Sequence, residues 1–149
     1  MASTFTNLSY HVVFSTKERL SLIRPEFAEE LYAYIGGIIR REKGMPIMIG
    51  GVANHVHLLA RFHPAVSVSD MLRIIKAKSS KWINDGWGRH RFSWQRGYSA
   101  FSVSESQLDK VSQYIARQAA HHSKVSFQTE LLSLLEKHRI PFDERYLWD

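Results

Sequence analysis

Two short apolar segments separated by only two residues constrain this fold more than any other feature of the sequence. The segments are residues 47–52 and 55–62, and Ala53-Asn54 lies between them. Apolar runs of this length with so short a connection predict a β-hairpin. Because the hairpin lies in the middle of the chain, the flanking segments must extend its sheet or pack on its faces.

The segments on either side of the hairpin alternate between strand and helix patterns. Residues 8–16 are rich in β-branched and aromatic side chains, which predicts a strand. Apolar residues recur at helical spacing over 26–41 and again after Pro64, which predicts two helices. A fourth strand is predicted within 92–103. The resulting order, β-α-β-β-α-β, predicts an α+β fold: a ferredoxin-like antiparallel sheet with helices on one face.

Two C-terminal helices are predicted after the fourth strand. Ser104 and Gln107 have the spacing of a capping box, so a third helix is expected to begin there and to include Tyr114 and Gln118. A last helix is predicted over 127–138, with Ser126 as its cap. The 149 residues contain no repeat and no linker-like segment, which predicts a single domain over 1–149.

The composition excludes several functional classes. Cysteine is absent, so thiolate chemistry and sulfur ligands are excluded, and this fits a cytoplasmic protein. The first residues lack the pattern of a signal peptide, and no apolar stretch is as long as a membrane span, so no membrane contact is expected. The formal net charge of +6 suits a polyanionic partner such as nucleic acid.

His55 and His57 are candidate metal ligands. Residues two apart on a strand point to the same face, so both imidazoles should leave the sheet together, with Val56 on the opposite face. Hard divalent cations also bind oxygen, which the side-chain carbonyl of Gln118 could supply. Such a mixed nitrogen and oxygen site fits Mg²⁺ or Mn²⁺. The alternative is a pair of histidines held by hydrogen bonds at a surface strand.

Tyr114 is the candidate nucleophile, because it lies four residues before Gln118 and shares its face of the predicted helix. Tyrosine can form covalent intermediates, and a polarised phosphate would stabilise the charge that develops during its attack. The alternative is a tyrosine that packs in the core. His122 lies four residues beyond Gln118 and shares its face, so it is a candidate metal ligand, a group that supports the ligands, or a phosphate contact. The alternative is a basic helix end, where cationic side chains offset the helix dipole.

Basic and aromatic residues alternate between Trp82 and Tyr98. Basic surfaces with exposed rings suit single-stranded nucleic acid, because every base offers a face for stacking. The alternative to a role in stacking on bases is that Trp82 and Trp94 pack in the core. Phosphate contacts are predicted here and on the preceding helix, from Lys76, Lys78, Arg89, Arg91 and Arg96.

The chain contains four motifs in order: Tyr10-His-Val-Val-Phe14, His55-Val56-His57 after a short hairpin, Trp94-Gln-Arg-Gly-Tyr98, and Tyr114-x-x-x-Gln118-x-x-His121-His122. Together they resemble the HUH single-tyrosine transposases of bacterial insertion sequences, whose close relatives are the REP-associated tyrosine transposases. The resemblance covers nearly the whole chain, and the motifs occur in the family's order.

The resemblance implies a ferredoxin-like homodimer that acts on single-stranded DNA with hairpin ends and uses Mg²⁺ or Mn²⁺. It implies that His55, His57 and Gln118 bind the metal. It further implies that Tyr114 attacks a backbone phosphate, leaving a 5′-phosphotyrosine and a free 3′-hydroxyl. In such dimers the tyrosine helix of one subunit can serve the histidines of the other.

Other functions remain open from the residues themselves. An HUH nicking enzyme of the replication-initiator or relaxase type would share the histidine pair and the tyrosine, although such enzymes often have longer chains. A non-catalytic ferredoxin-like nucleic-acid-binding module would account for the charge and the aromatic residues. A phosphoesterase with two histidine motifs would need a second such motif, and the sequence contains one.

Overall fold

An antiparallel sheet forms the centre of the fold. The structure is a computed structural model and describes residues 3–88, 91–122 and 124–148. Within these residues the sheet has the strand order β2-β3-β1-β4, which confirms the predicted ferredoxin-like arrangement. The strands are β1 (Ser9–Ser15), β2 (Met45–Val52), β3 (His55–Arg61) and β4 (Ser99–Ser102).

Helices connect the strands and follow the last one. Ser67 caps the helix after β3 by accepting a 3.1 Å hydrogen bond from the Asp70 amide, and Ser126 caps α5 in the same way from Thr129. No helix in the described ranges is long and apolar enough to span a membrane. The helices are α1 (Pro25–Arg41), α2 (Val68–Ile83), α3 (Leu108–Ala116), α4 (Gln118–His122), α5 (Phe127–Lys137) and α6 (Glu144–Leu147).

One face of the sheet carries the main apolar core, which α1 and α2 cover as predicted. The even-numbered residues of β1 and β3 point to this face, and all of them except the partly buried Tyr10 are 0% exposed. Burying each large apolar side chain on this face stabilises the fold by about 1.5–3 kcal/mol. Because side chains alternate along a strand, placing the apolar residues of β3 in this core also determines that His55 and His57 point to the opposite face. The core includes Val12, Phe14, Val56, Leu58, Leu31, Ile35, Ile39, Leu72 and Ile75.

The opposite face is covered by the C-terminal helices, so the sheet has helices on both sides. The odd-numbered strand residues pack there, and His55 and His57 are among them, with Val56 on the α1–α2 side as predicted. The two imidazoles therefore lie beneath the C-terminal helices. The apolar contacts that hold these helices are made by Val13 and Phe101 with α5, and by Leu59 with Leu108 and Ile115.

Gly50 allows α3 to lie directly on the sheet beside the histidines. It pairs with His57 across the hairpin. A Cβ atom at Gly50 would come within 3.2 Å of both the Ile115 Cγ2 and the Ile115 carbonyl oxygen. A side chain at this position would therefore push α3 away from the sheet, together with the neighbouring Tyr114.

The predicted third helix is divided into three pieces. Its first turn is a 3₁₀ segment, and the Ser104 Oγ contacts Ser106 Oγ at 3.3 Å instead of a backbone amide, so the predicted capping box is wrong. At Arg117 the backbone (φ −100°, ψ 18°) leaves helical geometry, and α4 begins at Gln118. Gln118 turns into a buried site while Ala119 is exposed, so local packing overrides the helical periodicity here.

Candidate functional site

His55 lies at the start of β3, where its side chain is 0% exposed and its ring orientation is fixed from outside the site. Its Nδ1 is 2.7 Å from the Asn54 side-chain oxygen. Because an amide oxygen only accepts hydrogen bonds, the Nδ1–H of His55 donates to it. Nε2 consequently faces the space beneath α3, α4 and α5, as in metal-binding histidines held by an outer hydrogen bond.

His57 is oriented by a second buried histidine, on β1. His57 Nδ1 is 2.8 Å from His11 Nε2, and the two rings stack with centroids 5.1 Å apart. Burial, and then the proximity of His57, lower the pKa of His11 to about 3, so His11 is neutral at physiological pH. Burial also lowers the pKa of His57. His57 Nε2 therefore enters the site as part of a neutral ring.

Tyr114 and Gln118 meet the histidine pair from the C-terminal helices. The Gln118 side-chain oxygen is 3.2 Å from His55 Nε2, and Gln118 is 1% exposed. The Tyr114 ring centroid is 5.7 Å from that of His57, and the Tyr114 hydroxyl donates a hydrogen bond to Glu130 Oε2. Burial and the Glu130 carboxylate raise the pKa of Tyr114, so the phenol keeps its proton at physiological pH.

Glu130, on α5, contacts the candidate ligands and the candidate nucleophile and was not among the sequence candidates. Its Oε1 is 3.3 Å from His55 Nε2 and 3.1 Å from His57 Nε2. Its Oε2 accepts hydrogen bonds from the Tyr114 hydroxyl and, at 3.2 Å, from the Gln118 amide. Burial raises the pKa of this carboxyl, but hydrogen bonds from the histidines and the tyrosine outweigh burial, and the pKa lies far below its usual value.

His122 completes a ring of imidazoles around Glu130. Its Nδ1 is 2.7 Å from the Val125 carbonyl oxygen, which only accepts, so the second nitrogen, Nε2, points inward, 2.9 Å from Glu130 Oε1. His121 Nε2 is 3.3 Å from Glu130 Oε2. That nitrogen is buried and has no hydrogen-bond partner among the described residues.

This donor set fits a divalent cation. The inward-facing atoms of His55, His57, His122 and Glu130 all lie within 4.8 Å of one another. Metal–ligand bonds of about 2.0–2.2 Å place neighbouring ligand atoms roughly 2.9–3.5 Å apart, and the three imidazole–carboxylate distances of 2.9, 3.1 and 3.3 Å lie in this range. His55 and His122 both direct a nitrogen at an ionised carboxylate after committing their Nδ1–H elsewhere, and a cation between them would satisfy all these groups.

Among the described residues that were predicted to contact DNA phosphates, none has a hydrogen bond or ion pair with this cluster. Lys78, Arg91 and Arg96 are exposed. The Lys76 ammonium is half-buried and donates to the carbonyl oxygens of Gln95 at 3.1 Å, Arg96 at 3.3 Å and Gly97, and burial lowers its pKa to about 8. Contact with a phosphate would require Lys76 to exchange these bonds. Arg89 lies outside the described residues.

The aromatic residues of the same region divide between core and surface. Trp94 is buried and donates a 2.9 Å hydrogen bond to Ser79. Its core position is the alternative that the sequence left open for this residue. Trp82 is half-buried and stacks on Tyr34. Trp87 and Tyr98 are partly exposed; the Trp87 ring packs against Phe27, and the Lys76 ammonium lies 5.7 Å from the Tyr98 ring.

Tyr114 reaches solvent along a shallow depression on the outer side of α3. Lys110, Gln113, Arg117 and His121 line this depression together with the edge of Tyr114. Lys110 and Arg117 are cationic, and both line the depression together with Tyr114. A DNA phosphate that approaches the tyrosine from this side would meet positive charge first.

The position of Glu130 in the sequence has one feature that could have identified it as a site residue. It lies three residues after Phe127 and four before Leu134, on the same helical face as these apolar residues. Phe127 and Leu131 are buried with it. A single carboxylate within an apolar stripe needs a buried partner, which is typical of a functional or ion-paired group.

Comparisons with known proteins place the chain in one family. The family model described as "Transposase IS200 like" matches residues 4–118. The transposase for insertion sequence element IS200 of Salmonella typhimurium is 32% identical over 128 residues, which cover 79% of this chain and 81% of the relative. The ISDra2 transposase TnpA of Deinococcus radiodurans is 24% identical over 119 residues, with coverage of 74% and 84%.

Solved structures share the fold at lower sequence identity. A crystal structure from Deinococcus radiodurans R1 has a TM-score of 0.63 at 21% identity and covers 79% of this chain and 96% of its own. A REP-associated tyrosine transposase bound to a REP hairpin has a TM-score of 0.61 at 14% identity, with coverage of 84% and 76%. By sequence match and by fold, the chain belongs to the IS200-like family of HUH tyrosine transposases.

Proposed function

We propose that this transposase cleaves and rejoins single-stranded DNA through a covalent bond to Tyr114, in a reaction that requires a divalent metal ion. One observation carries the proposal: the Tyr114 hydroxyl and the inward nitrogens of His55 and His57 contact the same carboxylate, Glu130. A nucleophile and a set of metal ligands within one buried cluster can act on the same phosphate.

The residues of the chain suggest how cleavage proceeds. The Tyr114 oxygen attacks the phosphorus of a backbone phosphodiester, a new O–P bond forms, and the bond from phosphorus to the 3′ oxygen breaks. Glu130 Oε2, which accepts the hydrogen bond of the phenol, takes its proton and passes it to solvent. The departing 3′ oxygen takes a proton from water and leaves as a free hydroxyl.

Rejoining is the reverse reaction. A 3′-hydroxyl attacks the phosphotyrosine, a new phosphodiester forms, and Tyr114 leaves with a proton. One phosphodiester-type bond is exchanged for another in each direction, so no external energy source is needed.

His55, His57, Gln118 and the other inward-facing donors would hold Mg²⁺ or Mn²⁺. When bound, such an ion supplies Lewis-acid polarisation of the phosphate oxygens, which favours nucleophilic attack by stabilising the developing charge. The outer hydrogen bonds to Asn54 and His11 keep the Nε2 atoms of His55 and His57 directed at the site.

The proposed substrate is single-stranded DNA with hairpin ends. The solved relative bound to a REP hairpin supports this choice, as does the net charge of +6. Lys110 and Arg117 beside Tyr114 would contact the phosphate to be cleaved, and Lys78, Arg91 and Arg96 remain candidate contacts elsewhere. Within one chain Tyr114 already lies beside that chain's own histidines. A homodimer, with or without exchange of the tyrosine helix, remains a prediction.

The proposal is tested by searching for the covalent product. Purified protein with Mn²⁺ is incubated with a single-stranded DNA library that includes hairpin-forming sequences and carries a fluorescent label at its 3′ end. We expect a labelled band at the protein's mass plus a DNA fragment on a denaturing gel, and its disappearance when EDTA is added first. Binding without any such band, at every Mn²⁺ and Mg²⁺ concentration, would indicate a non-catalytic binding module.

A second expectation concerns the groups that orient the ligands. Replacing Asn54 by Ala removes the acceptor of His55 Nδ1–H, which frees the ring to rotate. We expect Mn²⁺ to bind roughly 10–100-fold more weakly, because outer partners of metal-binding histidines contribute about that much. Isothermal titration calorimetry measures this change. Asn7→Ala, which removes an exposed amide bonded to Glu105, is the matched control and should bind Mn²⁺ like the wild type.

A further inference from the structure

Glu130 lies outside residues 4–118, the part of the chain that the family model matches, and yet it is the centre of the site. We infer that Glu130 is a metal ligand together with His55, His57 and His122, and that its second oxygen holds the Tyr114 hydroxyl beside the ion. This inference rests on the proposed function and adds two ligands, His122 and Glu130, that the sequence motifs do not assign to the metal.

The inference rests on the different contacts of the two carboxylate oxygens of Glu130. Oε1 lies 3.3, 3.1 and 2.9 Å from the Nε2 atoms of His55, His57 and His122 respectively. Oε2 faces the other way and accepts from Tyr114 and Gln118. One rigid side chain thus spans from the imidazole cluster to the nucleophile, so the position of the phenol oxygen is tied to that of the ion.

The hydrogen bonds of the histidine rings support Oε1 as a metal-ligand atom and not only as a partner of the histidines. The Nδ1 atoms of His55 and His122 donate to acceptor-only oxygens, of Asn54 and Val125. Their Nε2 atoms are therefore the ring atoms that converge, with that of His57, on the single oxygen Oε1. The four donor atoms of His55, His57, His122 and Glu130 lie within 4.8 Å of one another, so a divalent cation between them could be bound by three imidazoles and one carboxylate.

The ligand types predict which metal is preferred. Three imidazoles and one carboxylate are a nitrogen-rich set, whereas Mg²⁺ favours oxygen ligands and keeps several waters. We therefore expect the protein to bind Mn²⁺ or Co²⁺ much more tightly than Mg²⁺. A site made of His55, His57 and oxygen ligands alone would discriminate less between these ions.

Glu130→Gln tests the inference in the absence of DNA. The substitution keeps the shape of the side chain and removes the charge, so Kd for Mn²⁺ is expected to rise at least about tenfold. The visible absorption spectrum of the Co²⁺-loaded protein should also change, because a ligand has been replaced. Glu136→Gln removes the same charge from an exposed position of α5 and should leave both readouts unchanged.

The opposite result identifies a different role for the carboxylate. If Glu130→Gln binds Mn²⁺ as tightly as the wild type or more tightly, with the same Co²⁺ spectrum, Glu130 occupies the metal position and competes with the ion, and the inference is wrong. If the variant does not fold, a crystal structure of the Mn²⁺-loaded wild type decides. Oε1 should lie within about 2.0–2.2 Å of the ion, and a separation beyond 3 Å overturns the inference.

These measurements are independent of catalysis. A protein that binds Mn²⁺ through Glu130 but forms no covalent adduct with DNA would contradict the proposed function and leave the ligand assignment intact. If the wild type forms the adduct and Glu130→Gln retains full metal affinity, the ligand assignment is wrong and the proposed function is supported.

Discussion

Replacing Tyr114 by Phe is expected to reduce the covalent protein–DNA adduct by at least about 10³-fold, to below detection, while DNA affinity changes less than about twofold. The substitution removes only the hydroxyl that would attack phosphorus. The half-buried ring still packs against His11, His57 and His121, so α3 should remain on the sheet. Denaturing electrophoresis measures the adduct, and fluorescence anisotropy of labelled single-stranded DNA measures binding.

The control for Tyr114→Phe is Tyr146→Phe. Tyr146 is 66% exposed on α6, and removal of its hydroxyl should leave the adduct at the wild-type level. An adduct that persists in Tyr114→Phe would place the nucleophile on another residue. Loss of the adduct in both variants would instead indicate that the assay responds to general damage to the protein.

Replacing His57 by Ala is expected to weaken Mn²⁺ binding by more than about 100-fold and to abolish the adduct with it. His57 is 0% exposed, so its removal leaves both a missing ligand and a cavity. Thermal unfolding separates these effects, because a ligand that binds only the folded state at 100 times its Kd stabilises by about 2.7 kcal/mol. For a chain of this size that is a rise in Tm of roughly 5–10 °C.

The expected result for His57→Ala is therefore a Tm that no longer rises with Mn²⁺, whatever its value without metal. His63→Ala is a suitable control, because His63 lies just beyond β3 and contacts the Ala65 amide instead of the site. If the Tm of His57→Ala rises with Mn²⁺ as much as that of the wild type, His57 is not a ligand.

The parts of the site that the sequence predicted follow from short-range geometry. His55 and His57 share a face because strand residues alternate, and the apolar Val56 between them decides which face is the core. Tyr114 and Gln118 meet the same cluster although the helix breaks at Arg117, because each is held by its own contacts, Tyr114 to Glu130 and Gln118 to His55 and Glu130.

The parts that the sequence did not predict depend on contacts between distant residues. His11 supports His57 from 46 positions away, and Glu130 reaches the same ring from 73 positions away. No local periodicity encodes the side of the sheet on which α5 packs. That choice is made by Val13, Phe101 and the apolar stripe of α5, whose burial brings Glu130 over the histidines.

The environment of Lys76 was likewise not predictable from the sequence, because it depends on contacts with a distant segment. A basic residue on an amphipathic helix is ordinarily solvated, which made it a reasonable candidate for a phosphate contact. In the structure the carbonyl oxygens that precede Tyr98 surround its ammonium instead, and the ring of Phe14 lies 5.3 Å away. Such a pocket for a cation forms only when the segment around residues 95–97 folds over α2.

Tandem mass spectrometry of the protease-digested adduct tests the role of Tyr114 most directly. We expect the peptide that contains Tyr114 to carry a nucleotide through its 5′ phosphate, derived from the fragment on the 3′ side of the cut, while the other fragment ends in a free 3′-hydroxyl. A nucleotide attached to any other residue, or through a 3′ phosphate, would contradict the proposed cleavage chemistry.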